Sequence, residues 1–131
     1  MTRVNKTGRN NGESRHVRLY HWIMDTIAWR SLTAVDRAIY VEMAARYAGL
    51  GSNNGRLPYS VREAAKSLSI GKTTAGRALE RLQMRGFIVP MKKGAFSLKL
   101  KHATEWRLTE FPCDVTNAPA SKEFMRWTPK I

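Results

Sequence analysis

The sequence has little cysteine, little negative charge and no long apolar run, and each shortage excludes a class of protein. Cys113 is the only cysteine in 131 residues, so neither a disulfide framework nor a thiolate metal cluster can form within the chain. The basic N-terminus has no apolar stretch behind it, unlike a secretory signal. No apolar segment is long enough for a transmembrane helix. We therefore expect a cytoplasmic protein with no membrane partner.

Motifs that position phosphates, metals or nucleophiles are also missing. The chain contains no GxxxxGK[ST], GxGxxG, HExxH or GxSxG signature. Gly71-Lys72-Thr73 matches the end of a phosphate loop, but the glycine that this loop requires is replaced by Lys66. His16, His21 and His102 have no cysteine or carboxylate partner at ligand spacing. We expect a protein that is not an enzyme and that uses no cofactor and no metal.

Positive charge is what the chain has in excess. It carries 23 Lys/Arg against 10 Asp/Glu, a net charge of +13. Residues 60–110 hold 11 of these cations against 4 carboxylates, and residues 1–20 hold 5 against 1, whereas residues 21–59 are nearly balanced. Such a field attracts polyanions and accelerates their encounter. Double-stranded DNA is the favoured partner, because no aromatic platform for single-stranded RNA is evident.

Residues 60–86 are the stretch around which the chain is organised, and they predict two helices joined by a tight turn. Ser60 and Glu63 form a capping-box pattern that starts the first helix at Val61. The turn is Ser69-Ile70-Gly71, and the second helix runs over about 72–85 before Gly86 ends it. Its apolar arc consists of Ala75, Ala78, Leu79 and Leu82. The opposite arc consists of Thr73, Gly76, Arg77, Glu80 and Arg81.

This pair of helices is typical of a DNA-reading helix-turn-helix, although the same geometry also occurs as plain scaffolding with a solvated charged face. Gly76 favours the DNA reading. A glycine inside a helix costs about 1 kcal/mol relative to alanine, and the close approach of another surface would explain it. The positive charge of the neighbouring segments points the same way.

The segments before this pair predict further helices. Residues 17–31 predict a helix broken near Thr26, with Trp22 and Trp29 in the core rather than stacked on bases. Thr33 predicts the N-cap of a helix that continues to about residue 48. That helix is apolar almost all the way round, which indicates either the central helix of the domain or half of a dimer interface. A loop at 49–55 and a short strand at 56–59 follow.

The segments after residue 86 predict a β-hairpin and a tail. Residues 87–93 and 103–109 form an antiparallel pair whose projecting turn concentrates lysines, as in a wing that lies along DNA. Ser121 predicts the cap of a short helix near 121–127, whose Phe124 and Trp127 either fold back on the domain or dock on a partner. Residues 1–16 predict a flexible basic arm, which either follows phosphates or merely keeps the protein soluble.

This order of elements resembles the winged helix-turn-helix superfamily. Residues 69–88 are similar to the recognition helix and following strand of bacterial winged-helix regulators, and residues 103–109 resemble the returning wing strand of those proteins and of plasmid replication initiators. Residues 28–32, 53–56 and 121–127 resemble a family of small helix-turn-helix proteins of alphaproteobacteria and their mobile elements. The chain departs from the pattern at Gly71-Lys72, where many relatives carry a Ser or Thr N-cap.

We therefore expect an α+β, mainly α, winged helix-turn-helix with a two- to three-stranded antiparallel wing. Its domains are the arm 1–16, the DNA-binding domain 17–110 and the tail 111–131. The expected function is sequence-specific binding of double-stranded DNA in transcription regulation. Alternatives are a role in replication or excision of a plasmid, phage or integrative element, and a protein–protein adaptor. A homodimer on a two-fold site is expected, and no small-molecule effector.

The resemblance and the spacing of charges together assign the expected DNA contacts. Base edges in the major groove are assigned to three residues of the recognition helix, Thr73, Thr74 and Arg77. Phosphates are assigned to Arg62, Lys72 and Arg81. The wing over residues 92–102 is assigned four backbone or minor-groove contacts, Lys92, Lys93, Lys99 and Lys101.

Overall fold

The chain folds as a small α+β protein in which α-helices pack on a three-stranded antiparallel sheet. The computed structural model describes residues 14–92, 95–96 and 101–130, with the backbone alone for 95–96 and 101–102. Five α-helices lie in the described part of the chain: α1 (His21–Met24), α2 (Ile27–Arg30), α3 (Ala34–Ala45), α4 (Val61–Leu68) and α5 (Lys72–Met84). The strands are β1 (Leu57–Pro58), β2 (Ile88–Lys92), β3 (Ala95–Phe96), β4 (Lys101–His102) and β5 (Glu105–Leu108), and a 3-10 helix spans Glu123–Met125.

The break predicted near Thr26 is confirmed, because that residue ends one helix and caps the next. Its hydroxyl accepts a hydrogen bond from the Trp29 amide and donates one to the Ile23 carbonyl. Trp29 is buried as predicted, whereas the core position predicted for Trp22 is wrong. The Trp22 side chain is 38 % exposed and stacks between Tyr20 and Phe124 on the surface of the core.

Helix α3 is the central helix of the domain. Thr33 and Asp36 form a complete capping box at its N-terminus. Ile39, Tyr40 and Met43 are fully or almost fully buried within the single chain. Most of the apolar surface that suggested either a central helix or a dimer interface is therefore covered without a second copy.

The sheet has the order β1–β5–β2, so the returning strand is central. β2 and β5 pair antiparallel with an irregularity between Pro90 and Lys92, and β3 pairs with β4 beyond it. The predicted alternation along β5 is confirmed, since Trp106 and Leu108 face the core. Pro58 lies in β1, at an edge of the sheet, as a residue without an N–H donor requires.

The C-terminal segment folds back onto the domain. Phe124 is fully buried and stacks on Phe87 with ring centroids 4.8 Å apart. The predicted Ser121 cap is wrong: the residue before the 3-10 helix is Lys122, in the left-handed region at φ 46°, and the Lys122 amide donates to the Thr109 carbonyl. Among the described residues, no helix is both long and apolar enough to cross a bilayer.

Candidate nucleic-acid interface

Helices α4 and α5 are joined by the predicted three-residue turn. Ser69 takes a left-handed conformation at φ 54°, and the Ile70 amide donates to the Ala65 carbonyl, which ends α4. The Ser60 hydroxyl caps α4 by accepting the Glu63 amide. The Glu63 carboxylate binds Arg46 at 2.6 Å instead of the Ser60 amide. Only the hydrogen bond to the Ser60 hydroxyl is therefore formed from the predicted capping box.

The sequence correctly predicts which arc of α5 enters the core. Its buried residues are Ala75, Ala78, Leu79 and Leu82, and the two alanines permit close packing against α3 and α4. The other arc is open to solvent at the N-terminal half of the helix. The exposed residues there are Lys72, Thr73, Thr74 and Arg77, and Arg62 is exposed on α4.

Three exposed cations of this surface form no ion pair with any carboxylate of the described residues. Ion pairs within the described part of the chain join Arg30 to Asp25, Arg46 to Glu63 and Arg81 to Asp36. Arg62, Lys72 and Arg77 take part in none of these pairs. Cations that remain exposed and unneutralised on two adjacent helices produce a local positive field, which is the electrostatic requirement for binding phosphates.

Arg81 has a structural role instead of the predicted phosphate contact. Its Nε and Nη2 atoms donate to the two carboxylate oxygens of Asp36 at 2.8 and 2.9 Å. Asp36 is fully buried and also accepts the Thr33 amide. Burial alone would raise the pKa of Asp36, but the hydrogen bonds from Arg81 and Thr33 outweigh it and hold that pKa below its ordinary value. We therefore remove Arg81 from the proposed DNA contacts.

The N-terminus of α5 is an additional donor surface. Gly71 is its N-cap, with an extended backbone at φ −71° and ψ 154° and no side chain to accept a first-turn N–H. Although Gly71 replaces the Ser or Thr N-cap of many winged-helix proteins, α5 still begins at Lys72. First-turn amides carry the positive end of the helix dipole. Beside Lys72 they suit an anionic oxygen.

Of the four lysines predicted to form the wing contacts, one has a described side chain. Lys92 is exposed at the end of β2. The Lys101 backbone pairs with that of Phe96 in the second ladder, which continues the hairpin beyond the core sheet. Lys93 and Lys99 lie outside the described residues, and the position of the Lys101 side chain does too.

Among the described residues, nothing around Gly76 excludes a side chain. A Cβ built there meets only the Val61 side chain, at an ordinary contact distance of 4.0 Å. The residue lies between Thr73 and Arg77 along the solvent-facing arc and is only partly buried. The conformational cost of glycine is therefore not offset by packing within the described part of the chain.

Sequence reasoning missed Lys66, an exposed cation on α4. It lies four residues after Arg62, and that helical spacing alone could have placed both on one face. Lys66 also lines a shallow depression with Glu42 and Glu63, and the two carboxylates weaken the positive field there. We therefore leave it out of the proposed phosphate contacts.

The described residues hold no cluster of three or more His, Cys, Asp or Glu side chains arranged to bind a metal ion.

No protein-family model matches this chain, and no curated protein and no solved structure matches it either. The function must therefore be inferred from the geometry and charge of the α4–α5 surface.

Proposed function

We propose that this protein is a winged helix-turn-helix that binds double-stranded DNA sequence-specifically and regulates transcription. In this assignment α3, α4 and α5 are the three core helices, and α5 enters the major groove as the recognition helix. Thr73, Thr74 and Arg77 contact base edges. Arg62 and Lys72 hold phosphates, and Lys92, with Lys93, Lys99 and Lys101, belongs to the wing.

The observation that carries the proposal is the exposed, unpaired set Arg62, Lys72 and Arg77. Elsewhere on the helices, Arg46 and Arg81 are bound by carboxylates at 2.6 and 2.8 Å. Leaving three cations free around an uncapped helix N-terminus favours a polyanionic ligand.

The order of elements supports the winged-helix assignment. A short strand lies between α3 and α4, and an antiparallel hairpin follows α5 directly. The edge strand β1 pairs with the returning strand β5, which ties the hairpin to the helices. A hairpin held in this way would place Lys92 and the residues beyond it beside the DNA backbone next to the recognition helix.

Among the alternatives, control of replication or excision uses the same DNA surface and differs only in the site bound. The adaptor hypothesis needs Phe124, Trp127 and the apolar helix α3 as its working surface. It is weakened because Phe124 and the large apolar residues Ile39, Tyr40 and Met43 of α3 are buried within the domain. The homodimer stays a proposal, and half-site spacing in the selected DNA would test it.

The first experiment is selection of genomic DNA fragments, with affinity measured against salt beside random duplex. Enrichment of one motif with a log–log salt slope of about −0.9 per phosphate contacted would support a specific regulator. A steep slope without enrichment would indicate a nonspecific coating protein. No binding to either DNA would contradict the proposal.

Arg77→Ala tests the assignment of base contacts. We expect it to weaken binding to the selected site by about 1–3 kcal/mol and to relax preference at one base pair. Arg30→Ala is the charge-matched control, because Arg30 is exposed on α2, outside the proposed interface, and makes only a surface contact of 3.7 Å with Asp25. Equal losses by both variants would reduce the role of Arg77 to charge alone.

A further inference from the structure

A second concave surface lies away from α4 and α5. It is a groove of about 790 Å³ between residues 14–22 on one side and the end of α3 with the following loop on the other. Glu110 and Phe111, just after β5, also line it. No described residue of α4 or α5 does so, and the groove is therefore a separate site from the proposed DNA surface.

Two buried polar atoms in the groove wall have no hydrogen-bond partner within the described part of the chain. Glu110 is 5 % exposed, and one of its carboxylate oxygens accepts the Tyr40 hydroxyl at 2.6 Å. The other oxygen, Oε2, is unpartnered, as is the hydroxyl of Tyr47. Burial raises the pKa of Glu110, although Tyr40 and Lys122 act in the other direction. Buried groups left unpaired are costly. Neither atom has accessible surface, so a ligand reaches them only when the side chains of the groove wall move apart.

The groove also collects exposed apolar side chains. Eight large hydrophobic residues are exposed in the described chain, and three of them line this groove: Tyr20 at 39 %, Trp22 at 38 % and Leu50 at 77 %. Tyr47 stacks on Phe111 with ring centroids 4.2 Å apart. Aromatic walls with a few convergent polar atoms are typical of a site for a planar small molecule.

The rim of the groove is cationic. Arg15 and Arg18 are exposed in the segment that forms one wall, and neither pairs with a described carboxylate. Arg18 Nε lies 3.2 Å from the His16 ring nitrogen, which leaves its terminal nitrogens free for an anion. The groove thus combines a buried acceptor, aromatic walls and a cationic rim.

We propose that this groove binds a mononucleotide-like ligand, a planar nitrogen heterocycle that carries an anionic group. The ring enters as the side chains of the groove wall move apart, so that a ring N–H donates to Glu110 Oε2 and the Tyr47 hydroxyl supplies a second hydrogen bond. The ring packs against the aromatic walls, and Arg15 and Arg18 hold the anionic group. Ligand binding in this groove does not depend on DNA binding by α5, and its affinity is measured in the absence of DNA.

The test uses the full chain and four probes, the 5′-monophosphates of adenosine, guanosine, cytidine and uridine, each beside its nucleoside. We expect at least one monophosphate to raise the melting temperature and to bind in titration calorimetry, tenfold or more tightly than its nucleoside. If none of the four does so at millimolar concentration, the inference is overturned.

Tyr47→Phe separates a ligand site from a site that holds only water. Deleting the unpaired hydroxyl should leave the melting temperature of the free protein unchanged or raised, and it should weaken monophosphate binding fivefold or more. Arg15→Ala with Arg18→Ala should remove the preference for monophosphate over nucleoside. Unchanged binding in both variants would overturn the inference.

Arg62→Ala with Arg77→Ala is the matched control, since it removes two arginines from the other cationic surface. Monophosphate binding should be unaffected by it. If this variant instead abolishes binding, the nucleotide occupies the α4–α5 surface and the groove assignment is wrong. Loss of DNA binding in this control does not bear on the groove.

Discussion

Asp36 connects the start of α3 to the side of α5. It completes the capping box with Thr33 and binds the Arg81 guanidinium through both oxygens. Its carboxylate is fully buried, whereas the Arg81 side chain is 31 % exposed. The pair therefore fixes the position of the proposed recognition helix without adding an exposed charge to it.

Asp36→Asn should reduce the free energy of unfolding by about 2–4 kcal/mol at neutral pH, at or below the usual cost of breaking a buried ion pair, because Arg81 is partly solvated. The folded-state pKa of Asp36 lies below the ordinary value of an aspartate in an unfolded chain. Its stabilisation is therefore complete above that value and is lost as pH falls through the lower, folded-state pKa. Denaturant unfolding at pH 7 and at acid pH should show the difference between wild type and variant shrink below about pH 4. A difference that is constant with pH would contradict this account.

At the scale of elements, Gly86 sets the angle between α5 and β2. It has φ +86°, and a Cβ there would lie 2.7 Å from the Glu123 Cβ and 2.8 Å from backbone atoms of Glu123 and Phe124. The helix therefore ends where the C-terminal segment crosses it. A side chain at this position would displace that segment.

Gly86→Ala should destabilise the protein by more than the backbone penalty alone, about 3 kcal/mol or more in total. Gly51→Ala is the control, since Gly51 has φ +72° with nothing within 4 Å of a built Cβ. It should cost only about 1–2 kcal/mol. Equal losses in thermal unfolding would mean that the contact with Glu123 contributes nothing.

Gly76 in α5 gives a prediction in which stability and binding move in opposite directions. Gly76→Ala should raise the free energy of unfolding by up to about 1 kcal/mol, because the helix gains propensity and the methyl group fits against Val61. If DNA approaches this arc closely, the same methyl group should weaken binding to the selected site. Calorimetry and DNA titration on one preparation would test both effects, and unchanged affinity would remove Gly76 from the interface.

For the whole molecule, the C-terminal segment is part of the core rather than an appendage. Phe124 stacks on Phe87, and Arg85 lies over the Trp127 ring at 4.8 Å. Deleting residues 119–131 would therefore expose the core, and it cannot serve as a clean test of the adaptor hypothesis. Single substitutions in this segment are the sharper tool.

Phe124→Ala should lower the free energy of unfolding by about 3–5 kcal/mol, as expected for a fully buried phenylalanine. Met125→Ala, at a neighbouring side chain that is 49 % exposed, should change it by less than about 0.5 kcal/mol. Urea unfolding of both variants would measure this difference. A small effect for Phe124 would mean that the segment docks only loosely.

The local elements were predictable because their signals are local. The Thr33 cap, the three-residue turn at 69–71, the glycine after α5 and the alternation along β5 each depend on residues a few positions apart. The errors fell on residues whose environment is set by distant ones. The aromatic-rich helical segment 17–31 predicts Trp22 in the core, but Trp22 stacks against Tyr20 and Phe124 at the surface.

The helices of the pair α4–α5, the buried arc of α5 and the excess of positive charge around it follow from the amino-acid sequence, because helical periodicity and composition are properties of neighbouring residues. Which cations stay free depends on how the chain folds. Arg81 and Arg77 look equivalent in the sequence, but Asp36, 45 residues away along the chain, binds one of them and not the other. The groove beside Glu110 and Tyr47 could not be predicted from the sequence, because its walls come from three segments that are distant along the chain and meet only in the folded protein.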